Sequence, residues 1–270
     1  MEIYPSAHYA MGGLWIDYEK DETSGGLKYG SPRNHATSIP GLYASGECDY
    51  GYHGANRLGA NSLLSASFSG RVAGESVVSY LKGLESTAQY PSAASDNQVQ
   101  RQQTINDRLI QCDRGETPYQ LHKELGELMT SKVGVVRHNE ALDDADNQLK
   151  ELAERAQQMC MDDHSHWTNQ SLTYARQVQE MIGLGRVITR AARERDECRG
   201  AHHKPEFELK IPEGKFPGDP EFEEYRSKWK IENNKWLKTT LVDHSSNGPL
   251  ISYEEVDISV VAPEHPRDYR

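Results

Sequence analysis

The segment from Gly46 to Leu64 restricts this chain more than any other. In under twenty residues it gathers a carboxylate (Glu47), an imidazole (His53), a guanidinium (Arg57) and a glycine-rich approach to a helix start. A hydrophobic core needs none of these groups. Gly54 and Gly59 let the backbone turn tightly and come close to a ligand. Asn61 or Ser62 then reads as an N-cap, its side-chain oxygen accepting from first-turn N–H groups. From Leu63 to about Lys82 there are few breakers and an apolar stripe of Leu63, Leu64, Ala66, Phe68, Val72, Ala73, Val77, Val78 and Leu81, which predicts a helix. The start of that helix offers unsatisfied N–H donors and a partial positive charge, a place for a phosphate, carboxylate or other anionic group. Arg57, just ahead of it, can grip a carboxylate with a two-pronged hydrogen bond. Composition alone explains the same residues equally well as a glycine-rich strand-to-helix turn with an Arg salt bridge.

Two further pieces lie upstream. His8-Tyr9-Ala10-Met11-Gly12-Gly13 follows Ile3-Tyr4-Pro5 and precedes a short apolar run, Leu14-Trp15-Ile16. A His beside two glycines at a strand edge can donate to a substrate oxygen, although a lone His is more often structural or exposed. In Ile39-Pro40-Gly41-Leu42-Tyr43-Ala44-Ser45-Gly46-Glu47, Pro-Gly marks a turn and Leu42-Tyr43-Ala44 a short buried strand. Glu47, at the end of that strand, can accept from sugar or ribityl hydroxyls in a dinucleotide site, or it is simply a surface Glu.

These three blocks, in this order and spacing, resemble the succinate dehydrogenase / fumarate reductase flavoprotein subunit family. So do Gly126-Glu127-Leu128-Met129 with Lys132-Val133-Gly134-Val135, and Cys198-Arg199-Gly200-Ala201-His202, where the family has Ser in place of Cys198. Asn234-Lys235-Trp236-Leu237-Lys238-Thr239-Thr240-Leu241 is similar to a further strand of that family, with Thr239 where the family often has His. The resemblance implies that His8 and Arg57 hold a dicarboxylate (succinate or fumarate), that Glu47 contacts FAD, and that Asn61, Ser62 and Leu63 lie at the cofactor, the last two giving backbone N–H groups to the flavin edge. The helix dipole there would stabilise the reduced flavin. It also implies an iron–sulfur subunit as partner, a membrane-anchor subunit reached indirectly, and a peripheral position on the cytoplasmic side of the membrane. Glu47-Cys48-Asp49-Tyr50 points to the branch with a diheme-type anchor. L-aspartate oxidase, which shares the His-Gly-Ala-Asn-Arg-Leu block, is the near alternative; a non-catalytic fragment serving as an assembly surface is the other.

No Gly-x-Gly-x-x-Gly follows an N-terminal strand, and neither Gly25-Gly26 nor Tyr29-Gly30 supplies one. In the family that motif, the flavin-linking His and the capping domain with its proton-shuttling Arg lie in the N-terminal half. The expectation is therefore a C-terminal half, with no catalytic residue of its own, that binds FAD poorly and turns over nothing without the missing N-terminal half.

The expected fold class is α/β plus α: the C-terminal portion of a FAD-binding domain (1–84), a polar linker with Pro91 (85–96), a three-helix bundle (97–198) and a small mixed subdomain (199–270). Within the first part, residues 20–37 read as a polar hairpin or loop. The bundle rests on the helical spacing of Leu121, Leu125, Leu128 and Met129, of Leu142, Ala145, Leu149, Leu152 and Ala156, and of apolar residues from Trp167 to Arg195. Gly183 and Gly185 are unfavourable inside the third helix unless a close helix contact requires them. Residues 236–242 and 251–261 read as strands, and the acidic stretch between Glu206 and Lys235 as a surface elaboration.

Mean hydropathy of −0.79 and the lack of an apolar run argue against a membrane span. Net charge of −11 argues against nucleic acid as a partner. Cys48, Cys112, Cys160 and Cys198 lack Cys-x-x-Cys spacing, so reduced thiols and no metal cluster are expected. Asp162, Asp163, His164 and His166 form a possible metal set, but a solvated loop with a helix N-cap explains them better.

Overall fold

The regular elements of the computed structural model, among the residues it describes (8–86 and 92–263), are α1 (Asn61–Lys82), α2 (Ser92–Gln111), α3 (Pro118–Leu128), α4 (Asn139–Ala156), α5 (Gln170–Arg193), α6 (Pro220–Trp236) and a hairpin of β1 (Lys238–Asp243) and β2 (Leu250–Glu255). The chain partitions into two units. Unit 1 is Met1–Thr87, Arg199–Ala201 and Val256–Arg270; unit 2 is Ala88–Cys198 and His202–Glu255. The Ile3-Tyr4-Pro5 lead-in and Pro91 lie outside the described residues.

Unit 2 folds where the apolar period is strict. Leu121, Leu142, Ala145, Leu149, Val178 and Ile182 are fully buried in one cluster, with Leu109 and Ile110 of α2 packed into it. The helix starts are well specified. Thr117 and Gln120 form a reciprocal capping box ahead of α3, with Pro118 opening the helix. Asn169 accepts from Leu172 N at the start of α5, so this helix begins after Trp167 and not at it. A π-helical stretch, Met129–Val133, ends α3. The helical region holds four α-helices instead of the expected three, because α2 already starts at Ser92, inside the segment read as linker.

Gly185 explains itself: a Cβ there would lie 3.3 Å from Met129 Sδ and 3.5 Å from Leu149 Cδ2, so the helix contact is close. Gly183 meets nothing within 4 Å and has no such reason.

The expectation of reduced thiols is corrected at one pair. Cys112 and Cys160 form a disulfide with Cα atoms 5.0 Å apart. The end of α2 and the segment after α4 are brought together by the helical packing, which a separation of 48 residues hid. Cys48 and Cys198 are free thiols. The Asp162–His166 segment is a loop in which His164 Nδ1 contacts Ile110 O and Asp163 accepts from Ser165.

The hairpin is antiparallel, pairing Lys238 with Glu255 and Asp243 with Leu250. Both strands are shorter than expected, and the stretch read as a surface elaboration contains α6, which buries Phe222, Tyr225 and Trp236. Arg195 organises the start of the hairpin: it donates to Lys238 O and Thr240 Oγ1 (both 2.9 Å), to Trp236 O and to Glu197. Nearby, His202 Nδ1 accepts from Arg137 at 2.7 Å, so its proton sits on Nε2, which donates to Arg195 O at 2.8 Å. Burial first, with the neighbouring Arg137 charge, pushes the His202 pKa down to about 4.

Unit 1 is built differently. Apart from α1 and a 3-10 turn, its described residues form turns and single bridges (Leu14 to Asp49, Lys20 to Leu27, Ala36 to Tyr43) in place of the expected short strands. The expected apolar stripe of α1 is also corrected. Leu63, Leu64, Phe68, Val78 and Leu81 are exposed, and the buried face is Ser65, Ser69, Val72, Ala73 and Ser76. Small polar residues suit that face because each hydroxyl bonds back into the helix: Ser65 to Ser62 O, Ser69 to Ala66 O, Ser76 to Val72 O. Their size lets the Gly46 loop approach, and Ser69 Oγ accepts from Gly46 N at 2.9 Å.

Candidate functional site

The site lies in unit 1, where three loops meet the start of α1. The helix begins differently from its expected capping. Ala60, with φ of 66°, occupies the N-cap position and gives no side-chain cap, while Asn61 is the first helical residue and donates its N–H to Leu58 O. An alanine in the left-handed region costs on the order of 1 kcal/mol. The N–H groups of Ser62 and Leu63 have no acceptor among the described residues, and Leu63 and Leu64 stand exposed beside them. A Cβ at Gly59 would meet nothing within 4 Å, so the approach is open. Directed donors next to exposed apolar side chains suit a flat ligand with a polar edge and an apolar face, which is the chemistry of an isoalloxazine ring.

The glycine loops are sterically dictated. A Cβ on Gly13 would lie 2.4 Å from Cys48 O, and one on Gly200, at φ of 59°, would lie 2.2 Å from Ala55 O. Ala201 N donates to that same Ala55 O at 3.0 Å. Gly200 and Ala201 thus brace the loop that carries Arg57.

The structure brings together residues far apart in sequence. Glu47, in the 3-10 turn Gly46–Cys48, accepts from Ala10 N at 2.9 Å. Arg57 Cζ lies 5.5 Å from the centre of the Tyr9 ring, and its Nη1 donates to Leu58 O at 3.1 Å. Tyr9 in turn meets His53 edge-to-face at 4.8 Å. The His8–Ala10 segment therefore touches both Glu47 and the Arg57 loop; His8 itself is exposed.

Sequence reasoning missed a polar core beneath these loops. His35, 2% exposed and with φ of 65°, contacts Ala44 O at 2.9 Å and Tyr52 Oη at 2.6 Å. Ala44 O can only accept, so His35 Nδ1 carries the proton and Nε2 accepts from the Tyr52 hydroxyl; burial, with the Asp49 charge second, pushes the Tyr52 pKa up to about 12. Asp49 is buried beside them and accepts from Gly51 N at 2.8 Å. The only signal was the density of His, Tyr and Asp in a stretch with few aliphatic residues. The serine face of α1 had a clearer one, serines recurring at helical spacing at 62, 65, 69 and 76.

Against known proteins, residues 122–269 match the family described as fumarate reductase flavoprotein C-term, more than half of the chain. The chain belongs to the succinate dehydrogenase / fumarate reductase flavoprotein family. Residues 1–63 match the FAD binding domain family. The chain is 42% identical to the succinate dehydrogenase flavoprotein subunit of Bacillus subtilis, an alignment covering 100% of this chain and 40% of that protein. It is 28% identical to the fumarate reductase flavoprotein subunit of Haemophilus influenzae, over 97% of this chain and 37% of that one. The flavoprotein fold is matched by E. coli quinol fumarate reductase with a TM-score of 0.72 at 28% identity, covering 97% of this chain and 38% of the other. The chain thus spans about 40% of the length of these flavoprotein relatives. Among the described residues no helix is long and apolar enough to cross a membrane.

Proposed function

We propose that these residues are the C-terminal part of a succinate dehydrogenase-type flavoprotein subunit, and that unit 1 supplies one wall of its flavin and dicarboxylate site. The observation that carries this reading is the convergence of the His8–Ala10 segment, Glu47 and Arg57 at the open start of α1. FAD, when bound, supplies the hydride acceptor for the interconversion of succinate and fumarate. This chain's residues bind and orient. The N–H groups of Ser62 and Leu63, with Asn61 beside them, donate to the polar edge of the flavin, and the positive end of α1 favours negative charge there. Glu47 holds the His8–Ala10 segment and offers its second carboxylate oxygen to a cofactor hydroxyl. Arg57 and His8 neutralise and align the substrate carboxylates, which makes the neighbouring C–H bond easier to break.

The remaining functions fall to the rest of the complete subunit and its complex: an N-terminal half with the pyrophosphate site and the proton-shuttling Arg, an iron–sulfur subunit that takes the electrons, and through it a membrane-anchor subunit. A peripheral place on the cytoplasmic side of the membrane goes with that assembly. Residues 1–84 would be the FAD-domain portion, with a helical domain and a small C-terminal subdomain following.

The test is Arg57→Ala and His8→Ala in the complete subunit, assembled with its partners. Loss of a charge-assisted pair raises KM for succinate by about tenfold or more. Unaltered succinate kinetics in both variants would reject the assignment.

A further inference from the structure

Arg57 has one feature that the dicarboxylate reading does not use, an aromatic support. Its guanidinium lies over the Tyr9 ring, with Cζ 5.5 Å from the centroid. The Tyr9 ring meets His53 at 4.8 Å with an interplanar angle of 87°. His53 Nε2 lies 3.0 Å from Ser65 Oγ. The Ser65 hydroxyl is 8% exposed as a residue and spends its single proton on Ser62 O at 2.9 Å. Ser65 therefore accepts, and His53 must carry its proton on Nε2.

We propose that Tyr9 is the positioning residue for Arg57, and that His53 and Ser65 fix Tyr9 to the first turn of α1. The proposal rests on the reading of Arg57 as a dicarboxylate-binding residue. A guanidinium on a flexible stem loses rotamer freedom when it engages a carboxylate, and an aromatic face that already holds it lowers that loss. The chain of contacts ends at Ser62, whose N–H is assigned to the flavin edge, so one first turn sets the position of both the cofactor donors and the substrate-binding Arg.

The experiment uses the complete flavoprotein subunit in its complex and reads malonate binding from the flavin absorbance change, together with kcat and KM for succinate. Tyr9→Leu removes the ring and is expected to weaken malonate and raise KM about three- to tenfold, with kcat and flavin content little changed. Tyr9→Phe keeps the ring and restores affinity to within about twofold. Ser65→Ala leaves every ring in place but frees His53, and is expected to give a smaller rise in KM of about twofold. Wild-type malonate affinity in Tyr9→Leu overturns the proposal. Equal losses in Tyr9→Leu and Tyr9→Phe also overturn it, since the hydroxyl and not the ring face would then act. If Tyr9→Leu fails to take up flavin, Ser65→Ala decides: unchanged KM there overturns the proposal. Arg57→Ala run in parallel separates the two readings. If it binds malonate normally, the role of Arg57 itself has failed; if it does not and Tyr9→Leu does, only the positioning role has failed.

Discussion

The two units of this chain bury different things. Unit 2 encloses Leu109, Leu121, Leu142, Leu149, Leu152, Val178 and Ile182, a continuous apolar cluster drawn from helices α2 to α5. Unit 1 encloses Asn34, His35, Asp49, Ser65, Ser69 and Ser76 beside only a few aliphatic side chains such as Ile16 and Val72. An apolar core is non-directional and tolerates small shifts, whereas a polar core holds only where each donor finds its acceptor. The unit that carries the candidate site is the one whose geometry is set by directed bonds. That suits a site whose groups must be held to a fraction of an ångström.

This contrast can be broken from either side. The largest expected effect is in unit 2: Leu142→Ala, at a fully buried position, should cost about 2–5 kcal/mol by chemical denaturation. A loss under about 1 kcal/mol would mean that the apolar cluster is not what stabilises the unit. Next comes Gly200→Ala, where the new methyl group would run into Ala55 O and the backbone sits at φ of 59°. It should cost about 2 kcal/mol or more, and it should loosen the Arg57 loop as measured by limited proteolysis there. Smaller again is Ser69→Ala, which leaves Gly46 N–H without its acceptor and should cost about 1–3 kcal/mol. A neutral result would show that unit 1 does not depend on its polar bonds, and the comparison would fall.

The smallest effect concerns pH in unit 2. His202 is harder to protonate in the folded protein than in the unfolded chain, its pKa pushed from 6.5 down to about 4. Between those values the unfolded chain binds the extra proton, so the contribution of His202 is complete above about pH 6.5 and is lost as pH falls toward 4. Denaturation midpoints across that window should decline less steeply in His202→Gln than in the native chain. Equal slopes would remove His202 as the cause.

Legibility in the sequence follows the same division. The stripes Leu121-Leu125-Leu128 and Leu142-Ala145-Leu149-Leu152-Ala156 are read correctly because the period of a helix packing on an apolar core is what the residues themselves repeat. In α1 the same rule was only partly right. Val72 and Ala73 are buried as expected, but Leu63, Leu64 and Leu81 stand exposed, and the rest of the packed face is Ser65, Ser69 and Ser76, whose hydroxyls are satisfied by their own helix. The N-cap was misplaced for a related reason: Asn61 and Ser62 have the right chemistry, but Ala60 takes the left-handed conformation that ends the loop. For the site, Arg57, Glu47 and His8 stood out as residue types, whereas Tyr9 matters through contacts with His53 and Arg57, which lie far along the chain, and Ser65 through its bond to that same His53, and no local pattern encodes these contacts. The strands of unit 1 shrink to single bridges because Gly25, Gly30, Gly41 and Gly46 turn the chain at positive φ before a ladder can extend.

The Cys112–Cys160 disulfide closes a ring of chain that holds all of α3 and α4. A protease that nicks the backbone once inside that ring frees no fragment. The two pieces run as one band on a denaturing gel and separate only when a thiol is added. A nicked molecule therefore keeps α3 and α4 tethered at high effective concentration and can reassemble them after unfolding, an insurance that no other stretch of the described chain possesses.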